Sequence, residues 1–368
     1  MTENHDNAPV RFDTIELGAG YLLGVATLNR PQQLNALNLA MCERMLARFR
    51  AWASNESVVA VLLQGEGSKG FCAGGDVAEV VRHVRAGGPR RYVYGDAFFE
   101  VEYQLDLLIH TFPKPFISYS HGVNMGGGVG LTVGASHRLV SDGSRIAMPE
   151  IHIGLFPDVG GGWFLNRTLP GLGVLMALTG LIINEADAIQ AGLADAFLPG
   201  SARDALLEGL RSISWSGDAR LDRAAVTRLV HGLHDRHRDA MPQSEIGRRL
   251  DAIRHVGTQP EAASVRDALA AVATADSWFQ RPADSLAGGS PTAAMVSFEY
   301  LRRARTMSLA EVLALDLVLA RQYQRHHDFP EGVRALLIDK DRKPAWSPAR
   351  FDDVDADLVE AHFRPLGR

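Results

Sequence analysis

Short apolar runs alternate with helical patterns in the first 200 residues. Runs rich in Val and Leu at 21–28 ("YLLGVATL") and 58–64 ("VVAVLLQ") are typical of strands buried on both faces. "PFISYS" at 115–120 predicts a further strand, and "HRLVSDGSRIAM" predicts two short strands around a turn at Gly143. Strands alternating with helices up to about residue 200 predict an α/β fold.

A helix is predicted between the first two runs. Met41, Met45, Phe49 and Trp52 form one apolar stripe at helical spacing, and Asn38 is the expected N-cap.

The pattern changes after residue 200. From about 202 to 288 the chain is charged, Ala-rich and helical in period, and "LAGGSP" at 286–291 looks like a joint. Two helical runs follow, and "VRALLID" at 333–339 predicts a strand near the end. We therefore predict three segments, namely a core at 1–200, a helical insertion at 201–288 and a helical C-terminal region at 289–368.

Composition and charge exclude several classes of protein. The 368 residues are 46% hydrophobic, which is enough for one large domain with an appendage or for two domains. A net charge of -5 gives no global attraction to nucleic acid or anionic lipid. Cys42 and Cys72 cannot form a disulfide framework, so a reducing compartment is indicated. We see no leader peptide and no apolar run of about 18 residues, and therefore expect a cytoplasmic protein.

A glycine-rich turn follows the second predicted strand. "GSKGFCAGGDV" at 67–77 could expose backbone N–H groups to a ligand, or it could simply be a tight turn. It is not a phosphate-binding P-loop, because no GK[ST] follows at the required spacing.

A second strand–glycine–helix junction is "HGVNMGGGVGL" at 121–131. Its glycines permit close approach of another molecule to the backbone. A dinucleotide-binding fingerprint fails because Leu131 stands where the last glycine is required. Two such junctions suit an oxyanion hole, in which two N–H donors converge on one carbonyl oxygen.

Two carboxylates stand in the apolar stretch "MPEIHIGLFPDVGGG" at 148–162. Glu150 and Asp158 would have raised pKa values in such surroundings, which suits general acid or base catalysis. A salt-bridged or N-capping carboxylate is the structural alternative for each. Histidines 231, 234 and 237 lie three apart, but a solvated helix face is favoured over zinc, and no metal site is predicted.

These motifs, in this order, resemble the crotonase (enoyl-CoA hydratase/isomerase) superfamily. The resemblance begins at "TLNRPQQLNAL" (27–37) and continues through "GFCAGGDV" and "NMGGGVGL". "MPEIHIGLFPDVGGGWFL" and "HDFPEGVRALLIDKDRKPAW" are similar to its 3-hydroxyisobutyryl-CoA hydrolase branch. The resemblance implies a ClpP-like spiral of ββα turns with an acyl-CoA thioester held between the glycine motifs.

The resemblance also implies roles for individual residues. The oxyanion donors would be the backbone N–H groups of Ala73 and Gly127, with Glu150 as the catalytic glutamate and Asp158 as its companion carboxylate. Further substrate contacts would come from Glu102, Gly74, Gly75, Asp76 and Gly126. Hydratases of the family carry a second glutamate at the position of Gly130, so this chain departs from them there.

The expected activity is hydrolysis of a short 3-hydroxyacyl-CoA, either 3-hydroxyisobutyryl-CoA as in valine degradation or 3-hydroxypropionyl-CoA. No cofactor is expected, because CoA is part of the substrate, and no nucleic-acid or membrane partner is expected. The rival interpretations are a hydratase or isomerase acting on another acyl-CoA, and a non-catalytic scaffold or RNA binder. The sequence leaves open whether the chain forms a homo-oligomer.

Overall fold

The computed structural model describes residues 8–367. The expectation of no leader peptide falls partly on residues 1–7, outside that range. The strands are β1 Val10–Gly18, β2 Tyr21–Leu28, β3 Val58–Gly65, β4 Gly70–Cys72, β5 Phe116–Ser120, β6 Val123–Met125, β7 His137–Val140, β8 Arg145–Ala147 and β9 Ala196–Phe197.

Helices dominate the second half of the chain. They are α1 Leu39–Ser54, α2 Val77–Ala86, α3 Val93–His110, α4 Gly127–Val133, α5 Gly161–Phe164, α6 Leu172–Thr179, α7 Glu185–Gln190, α8 Arg203–Ser212, α9 Ala219–His237, α10 Leu250–Gly257, α11 Ala262–Ala275, α12 Gln280–Gly288, α13 Pro291–Ala304, α14 Leu309–Tyr323, α15 Asp328–Val333 and α16 Ala356–His362. In the described range, no helix is both long and apolar enough to cross a bilayer.

The chain forms two compact units, each built from three separate stretches. The first contains Met1–Gly75, Gln104–Ile146 and Ile183–Glu245. The second contains Asp76–Tyr103, Ala147–Ile182 and Ile246–Arg368. The division of the chain at residues 200 and 288 stays a prediction.

A six-stranded sheet is the centre of the first unit. Its order is β1-β2-β3-β5-β7-β9; β1 is antiparallel to β2, and the other neighbouring pairs are parallel. The strands predicted at 21–28, 58–64 and 115–120 and the predicted helix α1 are present, and Asn38 caps that helix by accepting from Met41 N–H. Apolar side chains of the sheet pack against α8 and α9 in one core, including Leu23, Ile117, Leu139, Leu206, Leu210, Val226, Val230 and Leu233.

A smaller sheet of order β4-β6-β8 carries the two glycine junctions. Each of its first two strands runs directly into a glycine turn and then a helix, β4 into α2 and β6 into α4. The predicted strands on either side of Gly143 are β7 and β8, and they belong to different sheets. This arrangement confirms the α/β class and sets both glycine turns at the carboxyl ends of paired strands.

The second unit is helical, as expected for residues 246–288 and for most of the C-terminal region, and the rest of the predicted helical segment forms α8 and α9 of the first unit. Helix α6 packs against α10, α12 and α13, and a short 3-10 turn, Glu150–Ile153, packs against α15. Gly154 ends that turn at a φ of 66°, where a Cβ would lie 2.4 Å from the Asp328 carbonyl oxygen. Only glycine permits this close approach, so the turn is held tightly against α15.

The strand predicted at 333–339 is wrong. Val333 ends α15, and Arg334–Ile338 continues as a π-helical turn. The run is short and its burial does not alternate, since Val333 and Ala335 are buried but Leu337 is 40% exposed. Short apolar runs of this kind do not distinguish a strand from a helix by sequence pattern.

Candidate active site

The two glycine junctions of the first unit lie against each other. Gly74 has a φ of 99°, and a Cβ there would lie 3.2 Å from Met125 O and 3.6 Å from Gly127 N. At Gly128 a Cβ would lie 2.7 Å from Cys72 O. Glycine is therefore required at both positions, and it brings the backbone after β4 next to the backbone after β6.

The prediction for Ala73 needs correction. Its N–H donates to Leu34 O at 2.9 Å, so it is already used inside the fold. The carbonyl of the next residue, Gly74, accepts from Leu37 N–H at 2.9 Å. In a planar trans peptide the N–H points opposite to the C=O, so the N–H of Gly75 points away from Leu37. Gly75 N–H is therefore the candidate donor in place of Ala73 N–H.

The other predicted donor lies at the first turn of α4. Gly126, at a φ of 51°, precedes the helix, and Gly127 is its first residue. Because the first N–H groups of a helix have no partner within it, Gly127 N–H can serve a ligand. Asp76 occupies the equivalent place before α2 and is partly buried.

Glu150 lies in the second unit, at the start of the 3-10 turn. Its side chain is 5% exposed, and its Oε2 atom is buried without a hydrogen-bond partner. Leu155 N–H donates to its carbonyl at 3.0 Å, which fixes the backbone. Burial raises the pKa of the Glu150 carboxyl well above its usual value, and the nearby charge of Asp158 raises it further.

Asp158 lies in the turn before α5, and Tyr103 is its polar partner. Tyr103 is the last residue of the stretch Asp76–Tyr103 in the second unit. Its hydroxyl donates to Asp158 Oδ2 at 2.8 Å. Burial raises the pKa of Asp158 to about 6, although the Tyr103 hydrogen bond lowers it. With Glu150, this gives two buried carboxyl groups that cannot both ionise easily, so at neutral pH the pair favours a single negative charge.

Glu102 is also buried in the second unit, one position before Tyr103 on α3. Its side chain is 2% exposed, and its charge contributes to raising the pKa of the Tyr103 hydroxyl, after burial and the charges of Asp158 and Asp316. Within the second unit, the charges of Glu102 and Asp158 both act on Tyr103, and the charge of Asp158 acts on Glu150. The roles predicted for these three carboxyl groups toward a substrate stay predictions.

Sequence reasoning missed Tyr103, Tyr300 and Asp316. Asp316 is fully buried in α14 and accepts hydrogen bonds from Gly160 N–H at 2.7 Å and from the Tyr300 hydroxyl. The sequence does contain an indication that Asp316 is special, because it is a charged residue inside the apolar run "LALDLVLA". A buried carboxylate of this kind requires partners, which the sequence does not name.

A cleft lined by charged side chains opens in the first unit where the parallel strands end. Its volume is about 660 Å³, and Lys69, Arg145 and Arg203 contribute cationic side chains to it. Glu66 and Asp142 also line it. Glu66 pairs with Arg11, whereas Asp142 accepts from Gly200 N–H at 2.7 Å, which lowers its pKa and keeps its negative charge. The cleft can therefore hold an anionic group such as a phosphate.

No metal centre is indicated within residues 8–367, where no group of three or more His, Cys, Asp or Glu side chains could hold an ion. Of the three histidines in α9, His234 has a structural role, because its Nδ1 accepts from Phe197 N–H at 3.0 Å.

Comparisons with known proteins show the family of this chain. A family model described as Enoyl-CoA hydratase/isomerase matches residues 23–363. A protein from Gallus gallus named 3-hydroxyisobutyryl-CoA hydrolase, mitochondrial, is 34% identical over 94% of this chain and 87% of its own. One from Arabidopsis thaliana named 3-hydroxyisobutyryl-CoA hydrolase 1 is 36% identical over 94% and 89%.

A solved structure described as an enoyl-CoA hydratase from Rhodobacter sphaeroides 2.4.1 is similar in both sequence and fold. It is 33% identical, has a TM-score of 0.84, and covers 98% of each chain. The predicted crotonase fold is confirmed. Since the Gallus gallus relative is named mitochondrial, the cytoplasmic location expected for this chain stays a prediction.

Proposed function

The chain belongs to the enoyl-CoA hydratase/isomerase family, and from that premise we propose that it hydrolyses the thioester of a short 3-hydroxyacyl-CoA. The observation that carries the proposal is the buried carboxyl pair Glu150–Asp158, with Tyr103 bound to Asp158. Gly130 supports it, because this glycine has no carboxyl group to act as the second catalytic glutamate of a hydratase.

Hydrolysis needs stabilisation of the oxyanion that forms at the thioester carbonyl. We assign this role to the N–H groups of Gly75 and Gly127, in place of Ala73 and Gly127. Removing one such donor in other acyl-transfer enzymes typically raises the barrier by about 3–4 kcal/mol. Gly74, Gly126 and Asp76 would form the surrounding backbone that contacts the acyl group.

Two routes are open to Glu150. As a general base it takes a proton from water while the water oxygen adds to the carbonyl carbon. As a nucleophile its own oxygen adds, the C–S bond breaks, and water then opens the mixed anhydride. In both routes the thiolate of CoA leaves and takes up a proton, and the products are the free acid and CoA.

Asp158 would hold the attacking water or the 3-hydroxyl group of the substrate. Its hydrogen bond from Tyr103 favours the ionised form of Asp158 before attack. Either carboxylate route requires Glu150 to be ionised during attack. Because the pair favours a single negative charge, Asp158 is then protonated, and its carboxyl group can still form a hydrogen bond with the bound water or hydroxyl.

The CoA nucleotide carries phosphates, and we place them in the cleft of the first unit. Lys69 and Arg145 are exposed there. Arg203 also lines the cleft, and its guanidinium donates to the Gln64 side chain at 2.7 Å. Cationic side chains in such a cleft attract an anionic substrate and raise its rate of association.

A thiol-release screen tests the activity. We expect release of CoA thiol from 3-hydroxyisobutyryl-CoA or 3-hydroxypropionyl-CoA. Isobutyryl-CoA, which lacks the hydroxyl, is the matched control and should be cleaved at least 10-fold more slowly, because a polar site rejects an analogue without its hydrogen-bonding group. No thiol release from any 3-hydroxyacyl-CoA would refute the proposal.

Single turnover in ¹⁸O-labelled water detects the anhydride route. Label in the Glu150 carboxyl supports it, because a general base gains no oxygen from water, whereas label in the released acid is expected from either route.

A second candidate is hydration of an enoyl-CoA, which is favoured by the Rhodobacter sphaeroides structure described as an enoyl-CoA hydratase. Loss of the enoyl absorbance without thiol release would support it over hydrolysis. A non-catalytic RNA binder would show neither activity and would shift RNA in a salt-dependent manner.

A further inference from the structure

The turn that carries Asp158 has a strained backbone. Val159 adopts a φ of 50°, and Gly160 follows at 82°. A β-branched residue at positive φ is a genuine outlier, because its side chain crowds the backbone. Such a conformation persists only where surrounding contacts enforce it, so this turn needs an external restraint.

Asp316 and Tyr300 supply that restraint through hydrogen bonds. Asp316 Oδ2 accepts from Gly160 N–H at 2.7 Å, and Asp316 Oδ1 accepts from the Tyr300 hydroxyl. The Tyr300 oxygen in turn accepts from Gly162 N–H at 2.7 Å. Two N–H groups of the Asp158 turn are therefore tied to one buried carboxylate and its hydroxyl partner.

The packing leaves this pair no alternative partners. Asp316 and Tyr300 are both 0% exposed. A Cβ on Gly162 would lie 2.7 Å from the Tyr300 ring, so the turn and α13 are in direct contact. Because water does not reach the Asp316 carboxyl group, it cannot exchange its protein donors for water. These hydrogen bonds therefore hold the turn in place.

We propose that Asp316 is a positioning residue for the reaction, which holds the strained Asp158–Val159–Gly160 turn through Gly160 N–H and so aims the Asp158 carboxyl. This role rests on the proposed thioester hydrolysis. The alternative is that Asp316 merely joins α13 to α14, in which case the backbone of Val159 is irrelevant to it.

The test is a double-mutant cycle between Asp316→Asn and Val159→Gly. Asparagine keeps the size of the side chain but replaces one acceptor oxygen with an NH₂ group, so either Gly160 N–H or the Tyr300 hydroxyl loses its partner. We expect kcat for CoA release to fall by about 10-fold or more. Glycine at 159 accepts positive φ without strain, so the same Asp316→Asn change should cost at least about 3-fold less in the Val159→Gly background.

The matched control is Asp222→Asn in the first unit. Asp222 is also buried and accepts two backbone N–H groups, from Ser216 at 2.9 Å and Gly217 at 3.1 Å. Its replacement should change kcat by less than about 2-fold. Circular dichroism and thermal unfolding confirm that each variant is folded.

Hydrogen exchange of residues 158–162 provides a readout that does not depend on activity. Asp316→Ala removes both acceptor oxygens, so Gly160 N–H loses its acceptor and exchange there should become faster. Two results would overturn the positioning role but not the proposed function. One is an equal loss of kcat in the wild-type and Val159→Gly backgrounds, and the other is faster exchange with unchanged kcat. A wild-type protein that releases no thiol would overturn the proposed function, and the assigned role with it.

Discussion

Asp158→Asn removes a buried negative charge and keeps an oxygen that can accept from Tyr103. Burial raises the pKa of the carboxyl from its usual 3.8 to about 6. The folded protein therefore holds this proton more tightly than the unfolded chain does. Asp158 costs no stability at pH values below the unfolded pKa; its cost grows as the pH rises and is complete above the folded pKa.

The size of this cost follows from the shift in pKa. A shift of about 2 units corresponds to about 3 kcal/mol of unfolding free energy once Asp158 is ionised in both states. About 2 kcal/mol of this stability cost develops between about pH 4.5 and about pH 8. Relative to the wild type, the Asn variant should therefore gain about 2 kcal/mol over this range, while its catalytic activity falls.

Urea unfolding at the two pH values measures the difference. Asp357→Asn, at an exposed carboxylate in α16, is the control and should shift equally at both pH values. A stability difference between Asp158→Asn and wild type that is the same at both pH values would refute the reasoning, because it would mean that burial does not raise the pKa of Asp158.

Three further predictions concern the same site. Tyr103→Phe removes the hydroxyl that stabilises ionised Asp158, so the pKa of Asp158 rises and the acid limb of the kcat profile moves up by about 0.5–1 pH unit; an unmoved limb would contradict the assignment. Glu150→Gln should lower kcat by about 10²–10⁴-fold with the KM little changed, whereas Glu208→Gln, at an exposed position of α8, should be neutral. Near-full activity of Glu150→Gln would exclude both proposed routes. Lys69→Gln and Arg145→Gln should each raise the KM for an acyl-CoA by about 3–10-fold. The KM for the matching acyl-pantetheine, which lacks the nucleotide phosphates, should stay unchanged. Equal effects on both substrates would show that the cleft does not bind the phosphates.

Local patterns were sufficient for most of the fold. The Val- and Leu-rich runs at 21–28 and 58–64 are strands of the central sheet, and Asn38 caps α1 as its position predicts. Apolar periodicity and capping depend on neighbours within a few residues, so the sequence carries them directly. At 333–339 the pattern was ambiguous, and contacts of the π-helical turn in the second unit decided its structure.

For the site, local sequence was enough to identify the residue types. The glycines after β4 and β6 and the carboxylates Glu150 and Asp158 could be read as candidates from their apolar, turn-rich surroundings. Which backbone donors remain for a ligand depends on contacts between distant parts of the chain, because Ala73 N–H is taken by Leu34, 39 positions earlier.

Tertiary structure also decided what makes the carboxylates chemically unusual. Tyr103 meets Asp158 across 55 positions, and Asp316 meets Gly160 across 156. Such pairs form only when the fold removes water from around groups that then require a partner, and burial of the same groups shifts their pKa values. A local sequence pattern contains neither the partner nor the exclusion of water, so both are properties of the folded chain.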